Sequence, residues 1–402
     1  MKYVVVLGDG MADYPVPQLE NKTPLQYAKK SNIDYLAQHG EVGMVKTIPD
    51  GIPPGSDAAN LSVLGYSPLK YYTGRSPLEA VSMGIELSAQ DVSFRCNLVN
   101  LSDEENYEDK TMIDYSSDEI STEESRQLIE EVNRRFKNSS IQFYPGISYR
   151  HCMVWRNGPE KYKLTPPHDI SERKIKDYLP LGETGRILLN MMIKSSSFLK
   201  DHPVNKSRIA RGLRPANSIW LWGEGKKPAI SSFFDKYSVK GSVISAVDLI
   251  KGIGICAGMK SIDVEGATGN VNTNFLGKAQ AALKELESGS DFVYVHVEAP
   301  DECGHRYEIE NKVKSIELID EKIVGTLLKG LDRYDDYRIM VLPDHPTPLS
   351  LRTHTREPVP FIIYQKSKEK SSGVQGYDEA QASGTGLFLD EGYKLMDRFI
   401  GK

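Results

Sequence analysis

Three stretches of this chain carry carboxylates and imidazoles at spacings that could hold a metal ion. In Val297-Glu298-Ala299-Pro300-Asp301-Glu302-Cys303-Gly304-His305 a carboxylate and an imidazole stand four residues apart, directly after an apolar run. Leu342-Pro343-Asp344-His345 sets another such pair after the next run, and His354 adds an imidazole nine residues on. Neutral imidazole mixed with carboxylate suits borderline divalent ions such as Zn²⁺ and Mn²⁺. A lone Asp-x-x-x-His is common by chance, but three such elements at successive strand ends are not.

Two further residues complete the set. Asp9, in Leu7-Gly8-Asp9-Gly10, follows the first apolar run. In parallel α/β sheets, ligand groups collect at the carboxyl ends of strands, which places Asp9 for metal or phosphate work. Gly51-Ile52-Pro53-Pro54-Gly55-Ser56-Asp57 reads as a rigid loop feeding a helix that starts at or near Ser56. Ser56 could be an ordinary N-cap. The same geometry aims backbone N–H groups at an anion, and a metal or base beside the hydroxyl makes it a nucleophile. Asp9, Ser56, Asp301, His305, Asp344, His345 and His354 make seven ligands. That is too many for one tetrahedral ion and suits two, with water or substrate oxygens in the open positions. Two ions a few Å apart clamp the entering and leaving oxygens of a displacement at phosphorus. The expected chemistry is phosphoryl transfer with Ser56 as nucleophile.

The elements that must position these residues are legible as short apolar runs: Tyr3 to Leu7, Gly241 to Val247, Phe292 to Val297, Arg338 to Leu342 and Val359 to Tyr364. Runs apolar on both faces, separated by helical patterns, predict an α/β fold with a mostly parallel sheet flanked by helices. Helices are expected over Asp248 to Met259, Asn274 to Glu287 and Ile309 to Leu331. The middle differs, with an acidic stretch, a polar helix Thr122 to Lys137 and aromatic segments Ile141 to Tyr144 and Cys152 to Trp155. It reads as a smaller inserted α/β domain over 88–211, interrupting a core domain of 1–87 and 212–402.

Composition narrows the partners. Fifty Lys and Arg against 55 Asp and Glu give a net charge of -5, so no basic field exists to neutralise a nucleic acid or seek an anionic membrane. Cys96, Cys152, Cys256 and Cys303 lack C-x-x-C spacing and read as isolated thiols of a reducing compartment. The four-residue opening run is far short of the ~20 residues of a membrane span. A cytoplasmic chain acting on a small phosphorylated metabolite is expected, with its oligomeric state open.

The order Asp9, Ser56, Asp301-x-x-x-His305, Asp344-His345, His354 resembles that of the alkaline phosphatase superfamily. The wording Leu7-Gly-Asp-Gly-Met-Ala-Asp13, Gly55-Ser-Asp-Ala-Ala-Asn60 and Arg214-Pro-Ala-Asn-Ser-Ile-Trp-Leu-Trp-Gly223 is similar to archaeal-type cofactor-independent phosphoglycerate mutases, from Lys2 to about Phe361. The resemblance implies an alkaline-phosphatase-like core with two divalent ions, Mn²⁺ foremost and Zn²⁺ or Mg²⁺ as alternatives. One ion would be held by Asp9, Ser56, Asp344 and His345, the other by Asp301, His305 and His354. It also implies a phosphoserine intermediate on Ser56, interconversion of 2- and 3-phosphoglycerate in glycolysis and gluconeogenesis, and an insert that closes over the substrate. Asp57 would orient the substrate. Arg150, His151, His168, Asp169, Arg208, Arg211 and Arg214 are the insert's candidates for binding it, since an Arg fork takes carboxylate and phosphate bidentately. Arg208, Arg211 and Arg214, at spacings of three, could share a helix face. His39, His202 and His296 lack motif context and read as structural or exposed.

The chain departs from the mutase pattern at one segment. Where Asp-Arg-x-Ala-Gly-Arg-Ile is expected it has Asp114-Tyr115-Ser116-Ser117-Asp118-Glu119-Ile120, so Tyr115 and Glu119 stand in place of two cations. The alternative this raises is a homoserine-kinase-like phosphotransferase on the same site, with Glu119 or Asp118 meeting a substrate ammonium. A non-catalytic metal- or phosphometabolite-binding protein is a third reading, which has no need of Ser56 among the ligands.

Overall fold

The computed structural model describes residues 1–159 and 162–402. Strands β1 (Lys2–Gly8) and β2 (Glu41–Val45) are followed by β3 (Val92–Leu101), β4 (Met112–Asp114), β5 (Ile141–Tyr144), β6 (Arg150–Trp155) and β7 (Ser218–Lys226). Then come β8 (Gly241–Ile244), β9 (Lys260–Ile262), β10 (Phe292–Val297), β11 (Tyr337–Leu342), β12 (Val359–Gln365) and β13 (Phe388–Leu389). They belong to two compact units, Met1–Tyr72 with Ala229–Lys402, and Thr73–Pro228.

The first unit is built on one sheet in the order β13-β2-β12-β11-β1-β10-β8-β9. Val4 to Leu7 of β1 are fully buried, which a strand covered by helices on both faces requires. Its neighbours β10 and β11 run parallel to it, with Leu7 level with His296 and Leu342. The carboxyl ends of three adjacent strands therefore finish together. β12 runs antiparallel to β11 and β2: residues 343–358 form no crossover helix, and without one the chain turns back. β2, β9 and β13 are short and mixed in polarity, and for that reason carry no strand signal in the sequence. The Ile309 to Leu331 pattern is helical throughout, but Ile319–Val324 winds as a wider π-type turn between Ile309–Leu318 and Gly325–Leu331. Asp320 in that turn accepts the Ile33 N–H (2.7 Å) and the Asn32 side-chain amide (2.9 Å), capping the start of helix Ser31–His39, whose own N-cap makes no such bond.

The second unit is an antiparallel sheet with β3 between β6 and β7, β5 beyond β6, and β4 on the end of β3. Helices Thr122–Phe136 and Gly182–Leu199 pack on β5 and β7. It is wider than the expected 88–211. Helix Ser76–Ser82 packs on β3 and β7, and β7 pairs with β3 from Val92 to Val99, so the flanking segments belong with the insert. Among the described residues no helix is long and apolar enough to cross a membrane.

One ion pair in the first unit is completely dry. Lys312 Nζ lies 2.7 Å from Asp13 Oδ2, with side chains 0% and 1% exposed, and also donates to the Thr347 carbonyl (2.8 Å). Asp13 accepts the Leu349 N–H as well, so this pair ties the loop after β1 to the loop after β11. Lys312→Met leaves a buried carboxylate uncompensated and is expected to cost about 3–5 kcal/mol in denaturant unfolding. The double variant Asp13→Asn/Lys312→Met should recover part of that; a single-variant loss below about 1 kcal/mol would contradict this account.

Candidate metal centre

Asp9 leaves the end of β1 at the centre of the sheet and is completely buried. Gly10 follows at φ 63°, and a Cβ there would lie 2.6 Å from Thr347 Oγ1 and 2.8 Å from Asp301 Cα. Only glycine allows the loop after β1 to pass this close to the loops after β10 and β11. Its N–H donates to Asp344 Oδ1 (3.1 Å), which also accepts the His345 N–H (2.9 Å). Asp344 Oδ2 accepts from Asn60 Nδ2 (2.9 Å), which donates in addition to the Ser56 carbonyl (2.8 Å). Tyr294 OH in turn donates to Asn60 Oδ1 at 2.6 Å. Asn60 thus fixes the first turn of helix Ser56–Val63 against the carboxylate after β11.

Gly55, not Ser56, is the N-cap of that helix, and Ser56 is its first helical residue. The Ser56 hydroxyl is therefore not spent on capping; Oγ sits 3.1 Å from His345 Nε2 and is buried. His345 Nδ1 faces the Pro346 carbonyl at 3.3 Å, so the proton on Nδ1 leaves the Nε2 lone pair toward Ser56, Asp9 Oδ1 (3.5 Å) and Asp344 Oδ2 (3.4 Å). Asp57 accepts its hydrogen bonds from the Ala58 N–H and Tyr72 OH, both 2.9 Å.

The second group stands on helix Ala299–Arg306 and the loop after β11. His305 Nε2 lies 3.2 Å from Asp301 Oδ2, His354 Nε2 3.4 Å from Asp301 Oδ1, and the two Nε2 atoms are 3.0 Å apart. His305 Nδ1–H donates to the Arg352 carbonyl (2.9 Å), which aims Nε2 inward, the usual arrangement behind a metal-binding imidazole. Thr347 Oγ1 donates to Asp301 Oδ1 (2.5 Å).

Protonation tests whether this set suits cations. Burial, reinforced by Asp344, pushes the Asp9 carboxyl well above its usual range, and burial with Asp301 nearby lifts Glu298 to about 8. Burial also opposes ionisation of Asp301, but the hydrogen bonds from His305 and His354 outweigh it and hold that carboxyl well below normal. The Asp301 hydrogen bond raises His305 to about 9, and burial lowers His345. Protons are shared here among groups that bind metals only after losing them. Asp9 Oδ1, completely buried, makes no hydrogen bond among the described residues. The ligand atoms of Asp301, His305 and His354 lie within 4.8 Å of one another, as do those of Asp9, Asp301 and His345, and those of Asp9, His296 and Glu298. The residues fit divalent cations.

All seven residues expected as ligands are thus brought together. Two that the sequence reading did not count among the ligands join them. His296, expected to be structural or exposed, is fully buried on β10 with Nε2 2.9 Å from Asp9 Oδ2, and Glu298 follows two residues later. The available signal was an imidazole inside an apolar run, one residue short of the strand end.

The insert's candidates separate. Arg208, Arg211 and Arg214 do not share a helix face, because the helix Pro203–Ala210 ends there and Gly212 at φ 76° turns the chain away. Arg208 is buried and donates to Glu124 and to the Ser117 carbonyl (2.6 Å); Arg211 also pairs with Glu124, and Arg214 with Asp114 (3.2 Å). Ser117, Asp118 and Glu119 form a left-handed turn at φ 52°, 55° and 48°, held by Arg208, by Asp114 accepting the Asp118 N–H, and by Asp118 accepting the Arg214 N–H. These cations are occupied by carboxylates of their own unit. Tyr115 instead joins an aromatic group, edge-on to Tyr149 (5.8 Å) and His168 (6.0 Å), with His168 edge-on to Trp222 (5.3 Å). Arg150 is exposed above Tyr149, and Asp169 is exposed beside His168.

A mixed sheet that gathers buried carboxylates, imidazoles and a serine at its carboxyl edge defines an enzyme of the alkaline phosphatase superfamily. Residues 182–348 match the family model of type I phosphodiesterase / nucleotide pyrophosphatase, and residues 37–205 that of 2,3-bisphosphoglycerate-independent phosphoglycerate mutase. The chain belongs to the 2,3-bisphosphoglycerate-independent phosphoglycerate mutase family: the Methanosarcina barkeri protein of that name is 50% identical over 398 residues, 98% of each chain. A solved Pyrococcus horikoshii protein superposes with a TM-score of 0.83 at 28% identity, covering 100% of this chain and 97% of that one. The cofactor-independent phosphoglycerate mutase of Thermoplasma acidophilum does so with 0.67 at 25%, covering 100% and 99%. The comparisons do not favour the homoserine-kinase-like alternative.

His151, beside Arg150 on β6, points to the opposite side of the sheet and is buried. Its Nδ1 accepts the Gly146 N–H (3.0 Å), and burial, helped by Arg126, lowers its pKa to about 3. An unfolded histidine takes its proton near 6.5, so between that pH and about 3 the unfolded chain binds the extra proton and stability falls as pH falls. At pH 5 the loss from this group should be about 2 kcal/mol relative to pH 7.5. His151→Asn, whose Oδ1 can take the same N–H, should lack this component when unfolding midpoints of the two proteins are compared across that range. Parallel pH profiles would contradict it.

Proposed function

We propose that this protein interconverts 2- and 3-phosphoglycerate through a phosphoserine on Ser56, with two divalent cations, manganese foremost. What carries the reading is the Ser56 hydroxyl, 3.1 Å from His345 Nε2 and bordered by Asp9 and Asp344 through that imidazole. Asp9, Ser56, Asp344 and His345 would hold one ion and Asp301, His305 and His354 the other. Such ions supply charge neutralisation for a phosphoryl group and lower the pKa of the attacking hydroxyl.

Ser56 Oγ loses its proton and bonds to phosphorus while the bond from phosphorus to the substrate oxygen breaks, and that oxygen takes up a proton. Glycerate reorients. Its other hydroxyl then loses a proton as it takes the phosphoryl group back from Ser56, so the protein ends unchanged. Asn60 holds Ser56 in place through its carbonyl, and Tyr72 keeps Asp57 oriented for the substrate. Of the insert's candidates, Arg150 and His168 would bind the phosphorylated acid, because Arg208, Arg211 and Arg214 are paired with Glu124 and Asp114.

Incubating the manganese-loaded protein with 3-phosphoglycerate should give the ³¹P signal of 2-phosphoglycerate without added bisphosphoglycerate. Ser56→Ala should reduce turnover by on the order of 10⁴-fold or more, and acid-quenched wild type should carry one phosphoryl group on Ser56 by mass spectrometry. Undiminished turnover in Ser56→Ala would overturn the nucleophile. A chelator should abolish activity, with Mn²⁺ restoring more than Zn²⁺ or Mg²⁺; activity indifferent to chelation would remove the cations from the reading.

A further inference from the structure

The cluster contains one fully buried imidazole that the proposed mechanism leaves without a part. His296 stands on β10 opposite Leu7 of β1, so its ring lies beside the chain that ends in Asp9. Its Nε2 is 2.9 Å from Asp9 Oδ2 and its Nδ1 3.2 Å from Ser245 Oγ. Ser245 is buried just past the end of β8, and its Oγ accepts the Val247 N–H at 3.0 Å. An ionised Asp9 Oδ2 can only accept, so the ring proton belongs on Nε2 and the Ser245 hydroxyl, already accepting from Val247, donates to Nδ1. Lys278, also buried, donates to the His296 carbonyl at 2.8 Å and fixes the strand end carrying the ring.

Asp9 is thereby anchored by one oxygen only. Oδ2 is tied to His296, while Oδ1 makes no hydrogen bond among the described residues and lies 3.5 Å from His345 Nε2, on the Ser56 side. We infer that His296 is a positioning residue: locked by Ser245 as the Nε2–H tautomer, it holds Asp9 so that Oδ1 alone is presented to a cation. This rests on the two-cation reading. A partner that orients a ligand typically changes metal affinity 10–100-fold when removed.

The test is manganese binding to the metal-free protein, read from the electron paramagnetic resonance signal of free Mn²⁺, with circular dichroism confirming that each variant is folded. His296→Leu removes the donor and should weaken one of two sites by roughly 10–100-fold. His296→Gln keeps an N–H near the Nε2 position and should bind within a few-fold of wild type. Ser245→Ala, which deletes only the hydroxyl, should give a smaller loss at the same site. In a His305→Ala background the His296→Leu loss should persist; in an Asp9→Asn background it should vanish. Wild-type affinities in His296→Leu, equal weakening by Gln and Leu, or loss of a third manganese equivalent would each overturn the positioning role. Wild-type protein that binds fewer than two ions would overturn the two-cation reading itself, and this inference with it.

Discussion

Everything in the first unit turns on a crowd of carboxylates held out of water. Asp9, Asp344 and Asp301 are at most 3% exposed and Glu298 stands beside them, all at the carboxyl ends of β1, β10 and β11. Burying one carboxylate is costly, and burying several together multiplies the cost unless positive charge is added. Asn60, Thr347 and the Gly10 and His345 amides satisfy individual oxygens, but neutral donors cannot cancel net charge. What can cancel it are imidazoles, protons and metal ions. The arrangement is biased toward cations by its own electrostatics, and the Ser56 hydroxyl stands beside it, 3.1 Å from His345 Nε2.

The sheet explains why such a crowd can exist. Parallel strands buried on both faces end at one edge, and the loops that leave them converge. Glycine at position 10 lets two of those loops touch. The dry Asp13–Lys312 pair fastens the loop after β1 to the one after His345 a few residues beyond the site. Charge pairs and hydrogen bonds, as much as apolar packing, hold the loops around the site.

The insert follows other rules. Its sheet is antiparallel, its arginines are mostly neutralised by its own acids, and its segment 117–119 is wound in the left-handed sense that non-glycine residues rarely adopt. Such strain persists only where the surroundings enforce it, here Arg208, Asp114 and Arg214. Where the mutase pattern has two arginines, Tyr115 joins an aromatic group and Glu119 a left-handed turn within the insert itself.

By itself the sequence determined the chemistry and the architecture class. Seven ligand-type residues after apolar runs could be read because strand ends and motif spacing are local properties, and the buried runs of β1, β10 and β11 are continuous and apolar. What only the tertiary structure decided was everything set by distant chain segments meeting. His296 carries no motif, and its place beside Asp9 depends on the register between β1 and β10. Asn60 and Tyr294 matter because a helix start and a strand meet 234 residues apart in sequence. The arginines at spacings of three failed to form a helix face because the helix ended at Ala210, and their charges went to acids whose proximity no periodicity records. Residue type fixes which groups can ionise or bind; only folding decides which of them are left dry, paired or free.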